Sequence, residues 1–295
     1  MDKKQEIKNE LPKGVHVLYK KLGETPLECI ERFRNKNPEL QGVSITYAGR
    51  LDPMAEGLLI VLSGDAVHEK EKYLGMSKTY FCEVLWGVET DTLDVLGLLA
   101  RENSLSSLFL KHGVARGHSP ASLSDRRPAY GFKNNESENF PSISNLQNIL
   151  KACGGGKMQQ QYPAYSSKPV NGTPLFQWAR EGIINEIEIP SHEVELFDTK
   201  FVSRGEVLGS ELLEKIKEKI GLVKGDFRQE EIVAGWEKFF DLQSENSFVI
   251  DTIQLTVSSG FYVRQFVADL AREFGTIATT FHIKRTQIGD FHSDL

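Results

Sequence analysis

The sequence predicts a mixed α/β or α+β fold, and three observations support that prediction. Helical and strand patterns alternate along the chain instead of falling into separate blocks, as they do in folds that pack helices against a sheet. The chain has 295 residues, of which 40% are hydrophobic, and this is ample for a sizeable core. No internal repeat is visible. The length fits one large domain or two ordinary ones.

Strand patterns occur at three places. The segment GVHVLYK (14–20) precedes the first helical pattern, YFCEVLWG (80–87) is rich in β-forming residues and ends at a glycine, and FVIDTIQLTVSS (248–259) lies near the end of the chain. The region after Gly42 is interpreted as a short strand, a tight loop and the apolar segment LLIVL (58–62). These segments are the expected strands of the sheet.

Helical spacing of apolar residues occurs at four places. The first helix is expected to begin at Thr25 or Pro26, because Leu27, Ile30 and Phe33 recur near the helical period. The other helices are expected over 142–153, in a block between 209 and 240, and after the turn that opens GFYVRQFVADLAREFG (260–275).

Two polar segments interrupt this pattern. Residues 1–13 are expected to form a flexible arm. Residues 101–142 are rich in Ser, Asn and Pro, which predicts an inserted and partly disordered loop. From Arg101 to Lys133 this loop carries six Lys or Arg residues against two acidic residues, so it is a basic island in an acidic chain.

Charge and cysteine content favour some classes of protein over others. The net charge of −6 argues mildly against a nucleic-acid partner, but RNA responds to the local patch that it touches. The N-terminal stretch has no apolar segment behind it, and LLIVL is too short to cross a membrane. The cysteines at 29, 82 and 153 have no metal-ligand spacing, so we expect a reduced, cytoplasmic setting without a membrane partner.

Asp52 is the strongest candidate for chemistry. Gly49 precedes it and Pro53 follows it, and both residue types hold the backbone in a loop rather than a helix. A carboxylate on a rigid loop is suited to act as a nucleophile or a base. Taken alone, the dipeptide is also compatible with an ordinary Asp-Pro turn.

The wider string, YAGRLDPMAEGLLIVLSGDA (47–66), resembles the catalytic motif of the TruB-type pseudouridine synthases. In that motif a loop aspartate is followed by proline, a small residue, glycine and a hydrophobic strand. The resemblance extends from about residue 14 to 291 and includes five further pieces in family order: KTY (78–80) with Gly87, TDTLD (90–94), PAYSSKPVNG (163–172) with AREG (179–182), SGFYVR (259–264) and IKRT (283–286).

The resemblance implies an α+β pseudouridine synthase fold, with a mixed, mostly antiparallel central sheet flanked by helices and a thumb-like insertion. It also implies isomerisation of an RNA uridine, which must first be flipped into a pocket. By this resemblance Asp52 attacks or deprotonates the sugar, Tyr80 stacks on the base and transfers a proton, and Arg264 pairs with Asp52.

Further residues are candidates for binding the RNA. Bacterial members of the family usually carry a histidine where this chain has Tyr47, and a tyrosine ring can still stack on a base. Ile283 matches an apolar position that walls the pocket. The remaining candidates belong to the catalytic loop or offer a positive charge to phosphate: Gly49, Lys20, Lys168 and Arg285.

Against the family pattern, this chain shows two long insertions, near 101–142 and 206–245, within a catalytic domain expected over 14–291. The chain ends at Leu295 directly after the last motif, so no C-terminal PUA domain is expected. The usual family substrate is uridine 55 in the T-loop of tRNA, which makes the tRNA T-arm the expected partner. We expect a monomer that needs no metal and no cofactor. No glycine-rich phosphate loop is visible, so no nucleotide cofactor is implied.

Three alternatives stay open. The chain could be a non-catalytic RNA-binding or tRNA-chaperone protein on the same fold, although the presence of Asp52, Tyr80 and Arg264 together favours catalysis. It could be a pseudouridine synthase that acts on another RNA. It could also be a hydrolase that uses Asp52 with a metal, but no cluster of carboxylates and histidines with ligand spacing surrounds Asp52.

Overall fold

A computed structural model of the chain describes residues 11–100, 140–241 and 243–292. In these ranges the strands are β1 (Val15–Lys20), β2 (Ile45–Ala48), β3 (Ala55–Ser63), β4 (Lys78–Trp86), β5 (Gly156–Gln161), β6 (Pro169–Val170), β7 (Thr173–Pro174), β8 (Ser191–Leu208), β9 (Ser247–Val257), β10 (Ala278–Ile288) and β11 (Phe291–His292). The helices are α1 (Pro26–Lys36), α2 (Lys70–Leu74), α3 (Ile143–Cys153), α4 (Leu175–Arg180), α5 (Gly209–Gly221), α6 (Gln229–Phe240) and α7 (Val263–Glu273).

Nine of the described strands form one sheet with the order β1-β3-β10-β4-β9-β8-β5. Strand β2 is added on β3 and β11 on β10, while β6 and β7 form a separate pair. Strands β3 and β10 pair in parallel, and the other pairs in the sheet are antiparallel. The prediction of an α+β fold around a mixed, mostly antiparallel sheet is confirmed.

Strand β3 explains why the apolar run near Asp52 is unbroken. Its side chains alternate between two clusters: Leu58, Ile60 and Leu62 pack with Tyr73 of α2, whereas the intervening leucine and valine pack with Cys29 of α1. A strand covered on both faces reads as a continuous apolar sequence rather than an alternating one. Helix α1 begins at Pro26, as predicted, with a capping box formed by Thr25 and Glu28.

Helices also cover both faces of the central strands. On β4, Val84 and Trp86 pack into the cluster that contains α3 and α7, while Leu85 packs into the cluster that contains α5 and α6. Trp236 of α6 is fully buried in the second cluster, and its indole nitrogen donates to the carbonyl of Val95 at 3.1 Å. The helical insertion is therefore part of the core.

The two insertions were predicted near 101–142 and near 206–245, and these bounds stay predictions. At the start of the second, residues 206–208 complete β8 and pair with β9, and the helical part begins at Gly209. At the end of the first, Phe140 packs against the core and the Pro141 carbonyl accepts from Arg204 at 2.8 Å. The rest of that insertion, 101–139, and residues 1–10 of the predicted arm lie outside the described residues.

The predicted helices over 26–36, 142–153, 209–240 and 260–275 are confirmed, with 222–228 forming a loop between α5 and α6. Within the described part of the chain, no helix has the length and apolar content of a membrane span. The cysteines at 29, 82 and 153 are buried.

If α5 is part of the core, Ile216→Ala should lower the free energy of unfolding by about 2–5 kcal/mol, because it opens a cavity at a fully buried side chain. Urea unfolding followed by circular dichroism measures this change. The matched control is Glu218→Ala on the exposed side of the same helix, which should stay within about 0.5 kcal/mol of the unsubstituted chain. Equal stability of the two variants would contradict a core role for α5.

Candidate active site

The loop between β2 and β3 displays Asp52. Gly49 opens the loop with a φ of +85°, a left-handed conformation that favours glycine. Leu51 and Met54, on either side of the aspartate, are buried in two different core clusters. The Asp52 carbonyl accepts from the backbone of Ala55 at 3.0 Å, which closes a turn. The loop is thus anchored by its apolar residues, while 44% of the Asp52 side chain stays exposed.

Arg285 of β10 braces this loop. Its Nη1 and Nη2 donate to the carbonyls of Arg50 and Gly49 at 3.2 and 3.3 Å, and its Nε donates to the carbonyl of Leu58 at 2.8 Å. The parallel pairing of β3 with β10 brings the two backbones so close that a Cβ on Gly57 would lie 2.2 Å from the Arg285 carbonyl oxygen. The buried guanidinium therefore fixes the backbone from which Asp52 projects.

Arg264, at the start of α7, is buried beside Asp52. Its Nε and Nη2 both lie 2.9 Å from Oδ2 of Asp52. Its Nη1 donates to the carbonyl of Thr92, and its Nη2 donates to the carbonyl of Tyr165 at 3.4 Å. Burial disfavours the charged guanidinium, but the carboxylates of Asp52 and Asp94 outweigh burial, so the pKa of Arg264 is raised.

Asp94 is a second carboxylate beside the same guanidinium, with Oδ2 at 3.6 Å from Nε of Arg264. Its Oδ1 accepts from the hydroxyl of Thr92 at 2.8 Å and from the backbone of Leu96 at 3.0 Å. Burial raises the pKa of Asp94 to about 6, because desolvation and the charge of Asp52 outweigh the attraction of Arg264. Only 8% of its side chain is exposed, so Asp94 supports Arg264 while Asp52 faces the cavity.

Asp52 and Arg264 lie in the wall of a cavity of about 680 Å³. Tyr80, on β4, also lines it, with the guanidinium carbon of Arg285 at 6.0 Å from its ring centroid. Ile283, on the neighbouring strand β10, supplies an apolar part of the wall. Six of the nine residues predicted from the sequence therefore meet at one cavity: Asp52, Tyr80, Arg264, Gly49, Ile283 and Arg285.

The other three predicted residues lie outside the cavity lining. Lys20 is fully buried, and its ammonium donates to the carbonyls of Lys21 and Glu24, so a phosphate could reach it only if this turn moved. Burial lowers the pKa of Lys20 to about 8. Tyr47 is half-buried and packs against the cluster that contains Cys29 of α1. The ammonium of Lys168 lies 5.0 Å from the ring centroid of Tyr162. Their contacts with RNA stay predictions.

The sequence analysis missed part of the cavity wall. The loop between α5 and α6 brings Asp226, Phe227 and Arg228 to the lining, and Tyr165 lies there as well. Arg228 pairs with Asp91, which is 137 positions away along the chain. Tyr165, Asp91 and Asp94 stand in segments with a recognisable pattern, so that pattern could have indicated them. No local pattern marks the 226–228 stretch.

A loop carboxylate held by a buried arginine, with a tyrosine in the same cavity, defines an enzyme site for nucleophilic or acid–base chemistry. A family model described as TruB family pseudouridylate synthase (N terminal domain) matches residues 38–112, which include the Asp52 loop and Tyr80. Residues 101–112 of this match lie outside the described part of the structure.

Three curated relatives match along nearly the whole chain, and each is named tRNA pseudouridine synthase B. The protein of Caldicellulosiruptor saccharolyticus is 22% identical over 278 residues, covering 94% of this chain and 68% of its own. The protein of Bordetella avium is 25% identical over 283 residues, covering 95% and 83%. The protein of Bacillus subtilis is 24% identical over 281 residues, covering 95% and 67%.

Among solved structures, a chain in the crystal structure of a Cbf5–Nop10–Gar1 complex matches 95% of this chain with 12% identity and a TM-score of 0.47. This chain spans about half of the length of that protein, since 50% of it is covered. The family model and the curated relatives show that this chain is similar to the TruB family of pseudouridylate synthases.

The raised pKa of Asp94 predicts a pH-dependent difference in stability between the protein and its Asp94→Asn variant. Well below pH 3.8 the carboxyl is protonated in both the folded and the unfolded chain. Between pH 3.8 and about 6 the unfolded chain loses this proton first, so the folded state loses up to about 3 kcal/mol of stability from this group. Asparagine cannot titrate, so the variant should gain in melting temperature relative to the unsubstituted protein as the pH rises from 4 to 7.

Calorimetry at several pH values measures this difference. Asp65→Asn, at an exposed carboxylate, is the matched control for the general effect of removing one negative charge. A difference in melting temperature that does not change with pH for Asp94→Asn would show that Asp94 gains its charge in the folded protein as easily as in the unfolded chain.

Proposed function

We propose that this protein isomerises uridine to pseudouridine in RNA, with uridine 55 in the T-loop of tRNA as its substrate. The observation that carries the proposal is the pairing of the exposed Asp52 carboxylate with the buried Arg264 in a cavity that Tyr80 also lines. This reaction breaks the bond between N1 of the base and the sugar, turns the base, and joins its C5 to the same sugar carbon. The proton on C5 is lost and N1 gains one, so the atoms balance without any added group.

The dimensions of the cavity suit a flipped nucleotide. Its volume of about 680 Å³ lies within the usual range of small-molecule sites, about 300–1,000 Å³. A uridine stacked in an RNA loop is out of reach of a side chain, so it must leave the stack before the reaction. Ile283 and Ala55 offer apolar surface to the base, while Asp52 offers its carboxylate to the sugar. The cavity therefore separates a surface for the base from a group for the chemistry.

Each catalytic side chain has a role that its position supports. Asp52 attacks or deprotonates the sugar, because its carboxylate is exposed in the cavity while its loop is fixed. Arg264 holds that carboxylate through two nitrogens on one oxygen, which leaves Oδ1 of Asp52 for the substrate. Tyr80 offers a ring face to the base and a hydroxyl for proton transfer.

Positive side chains at the cavity support an RNA substrate. Arg50 and Arg180 lie along the lining, and both are exposed. Phosphate groups are met mainly by arginine and lysine, and such contacts set the position of the nucleic acid. The choice of tRNA rests on the curated relatives, whose printed names specify it, and the choice of the T-loop rests on the motif resemblance.

The direct test is incubation of the full chain with an unmodified tRNA transcript, followed by chemical mapping of pseudouridine. We expect modification at position 55, and we expect Asp52→Asn to abolish it while RNA binding changes only a few-fold. The carboxylate performs the chemistry, whereas phosphate contacts supply most of the affinity.

Asp65→Asn, an exposed aspartate outside the cavity lining, is the control variant and should keep full activity. Pseudouridine at another position, or in another RNA alone, would correct the substrate. Binding of tRNA without modification would instead favour the non-catalytic chaperone. Turnover close to normal in Asp52→Asn would refute the assignment of the catalytic residue.

Tyr80→Phe should lower the rate at saturating RNA by about 10²–10⁴-fold with little change in RNA affinity, because it keeps the ring and removes the hydroxyl. Single-turnover kinetics with a binding isotherm separates the two effects. The control is Tyr73→Phe, because the ring of Tyr73 is buried in the cluster that contains Leu58, Ile60 and Leu62 of β3. A normal rate in Tyr80→Phe would mean that Tyr80 contributes its ring alone.

A further inference from the structure

The helical insertion reaches the candidate active site through its loop. Helices α5 and α6 are joined by residues 222–228, and the part that we call the insertion tip, Val223–Arg228, contributes Asp226, Phe227 and Arg228 to the cavity lining. Phe227 is half-buried: its ring packs at the edge of the cluster formed by α5 and α6 and also lines the cavity. The cavity thus has an aromatic side chain that does not come from the segments that resemble the family motifs.

The insertion tip is fastened by polar contacts. Gln229 accepts from the backbone of Phe227 at 2.8 Å and donates to the carbonyls of Gly225 and Val223 at 2.7 and 3.2 Å. Arg180, at the end of α4, donates to the carbonyl of Asp226 at 2.7 Å. The backbone around Phe227 is therefore held both from within the insertion and from another segment of the cavity wall.

Arg228 links the insertion tip to the rest of the cavity wall. Its Nη1 lies 2.8 Å from Oδ2 of Asp91, and its guanidinium carbon lies 4.8 Å from the ring centroid of Tyr165. Its φ is +65°, a left-handed conformation that costs energy for a residue other than glycine and that the surrounding contacts must maintain. Burial and then the neighbouring Asp91 raise the pKa of Tyr165 to about 12, which agrees with a closely packed trio.

The contacts of Arg228 are linked to the Asp52–Arg264 pair through a single residue, Tyr165. The carbonyl of Tyr165, whose ring Arg228 covers, accepts from Arg264, and Arg264 holds Asp52. The insertion tip is therefore a built part of the site rather than a surface loop that happens to lie nearby.

We propose that the insertion tip is a substrate-binding wall, in which Phe227 packs against the nucleotide next to the flipped uridine and Arg228 is the positioning residue that holds Phe227 in place. This inference rests on the proposed function. An aromatic ring exposed to a cavity can stack on any base, and the exposed Arg180 beside it suits an adjoining phosphate. Arg228 acts through the wall, since its guanidinium is already engaged by Asp91 and Tyr165.

The test is the affinity of the full chain for an unmodified tRNA transcript, measured by fluorescence anisotropy. Phe227→Ala should weaken binding about 5- to 100-fold, the usual effect of removing one stacked ring. Phe227→Leu keeps apolar packing against the insertion core and should also weaken binding. The matched control is Phe33→Ala, a half-buried ring on α1 outside the cavity lining, which should bind normally.

The positioning role has its own readout. If Arg228 acts by holding Phe227, the double variant Phe227→Ala/Arg228→Ala should bind no more weakly than the weaker of the two single variants. Arg228→Lys should recover little affinity, because lysine lacks the planar group that covers Tyr165. Additive losses in the double variant would mean that Arg228 contacts RNA independently and would overturn its role as a positioning residue.

Two failures can be told apart in the same assay. If the unsubstituted chain forms no pseudouridine in any RNA offered, the proposed function fails. If it forms pseudouridine, yet Phe227→Ala and Phe227→Leu bind the transcript as tightly as the unsubstituted chain, only the inference about the insertion tip is overturned.

Discussion

The buried guanidinium of Arg264 is the constraint on which the site depends. An arginine removed from water must have all its donors engaged, because an uncompensated buried charge costs several kcal/mol. Its partners come from separate segments of the chain: Asp52 on the β2–β3 loop, Thr92 and Asp94 on the turn after β4, and Tyr165 beyond β5. Because all these segments must contact the guanidinium of Arg264, their relative positions are fixed, and so is the shape of the cavity.

The two carboxylates beside Arg264 divide the work by their exposure. Asp94 is buried and receives donors from Thr92 and Leu96, so it is saturated within the protein. Asp52 is 44% exposed, and within the described part of the chain its carboxylate accepts from Arg264 alone. Arg264 contacts Asp52 through Oδ2, at 2.9 Å from both Nε and Nη2, so the other carboxylate oxygen of Asp52 is left for a substrate. This difference in exposure supports the proposal that Asp52 is the reactive carboxylate.

Local sequence patterns predicted most of the core elements of the fold and much of the candidate site. The features that these patterns missed have a physical cause. The apolar pattern of β3 and the amphipathic pattern of α7 predicted their elements because burial decides those residues. Strand β8 was missed because its 18 residues are mostly polar, and their strand conformation comes from pairing with β5 and β9. Lys20 was predicted to offer its positive charge to phosphate, but its buried ammonium donates to backbone carbonyls inside the protein.

The helical insertion contributes both to the core and to the proposed substrate-binding wall. Trp236 donates to the carbonyl of Val95, directly after the turn that supports Arg264, and Arg228 pairs with Asp91 within that turn. A substitution that loosens α5 or α6 therefore loosens a support of the catalytic pair, even though it touches no reacting group. The ring of Phe227 lies at the edge of the cluster and lines the cavity. We therefore expect substitutions of Phe227 to disturb the core less than substitutions within α5 or α6. Comparing the two kinds of variant separates the proposed contribution of the insertion to binding from its contribution to folding.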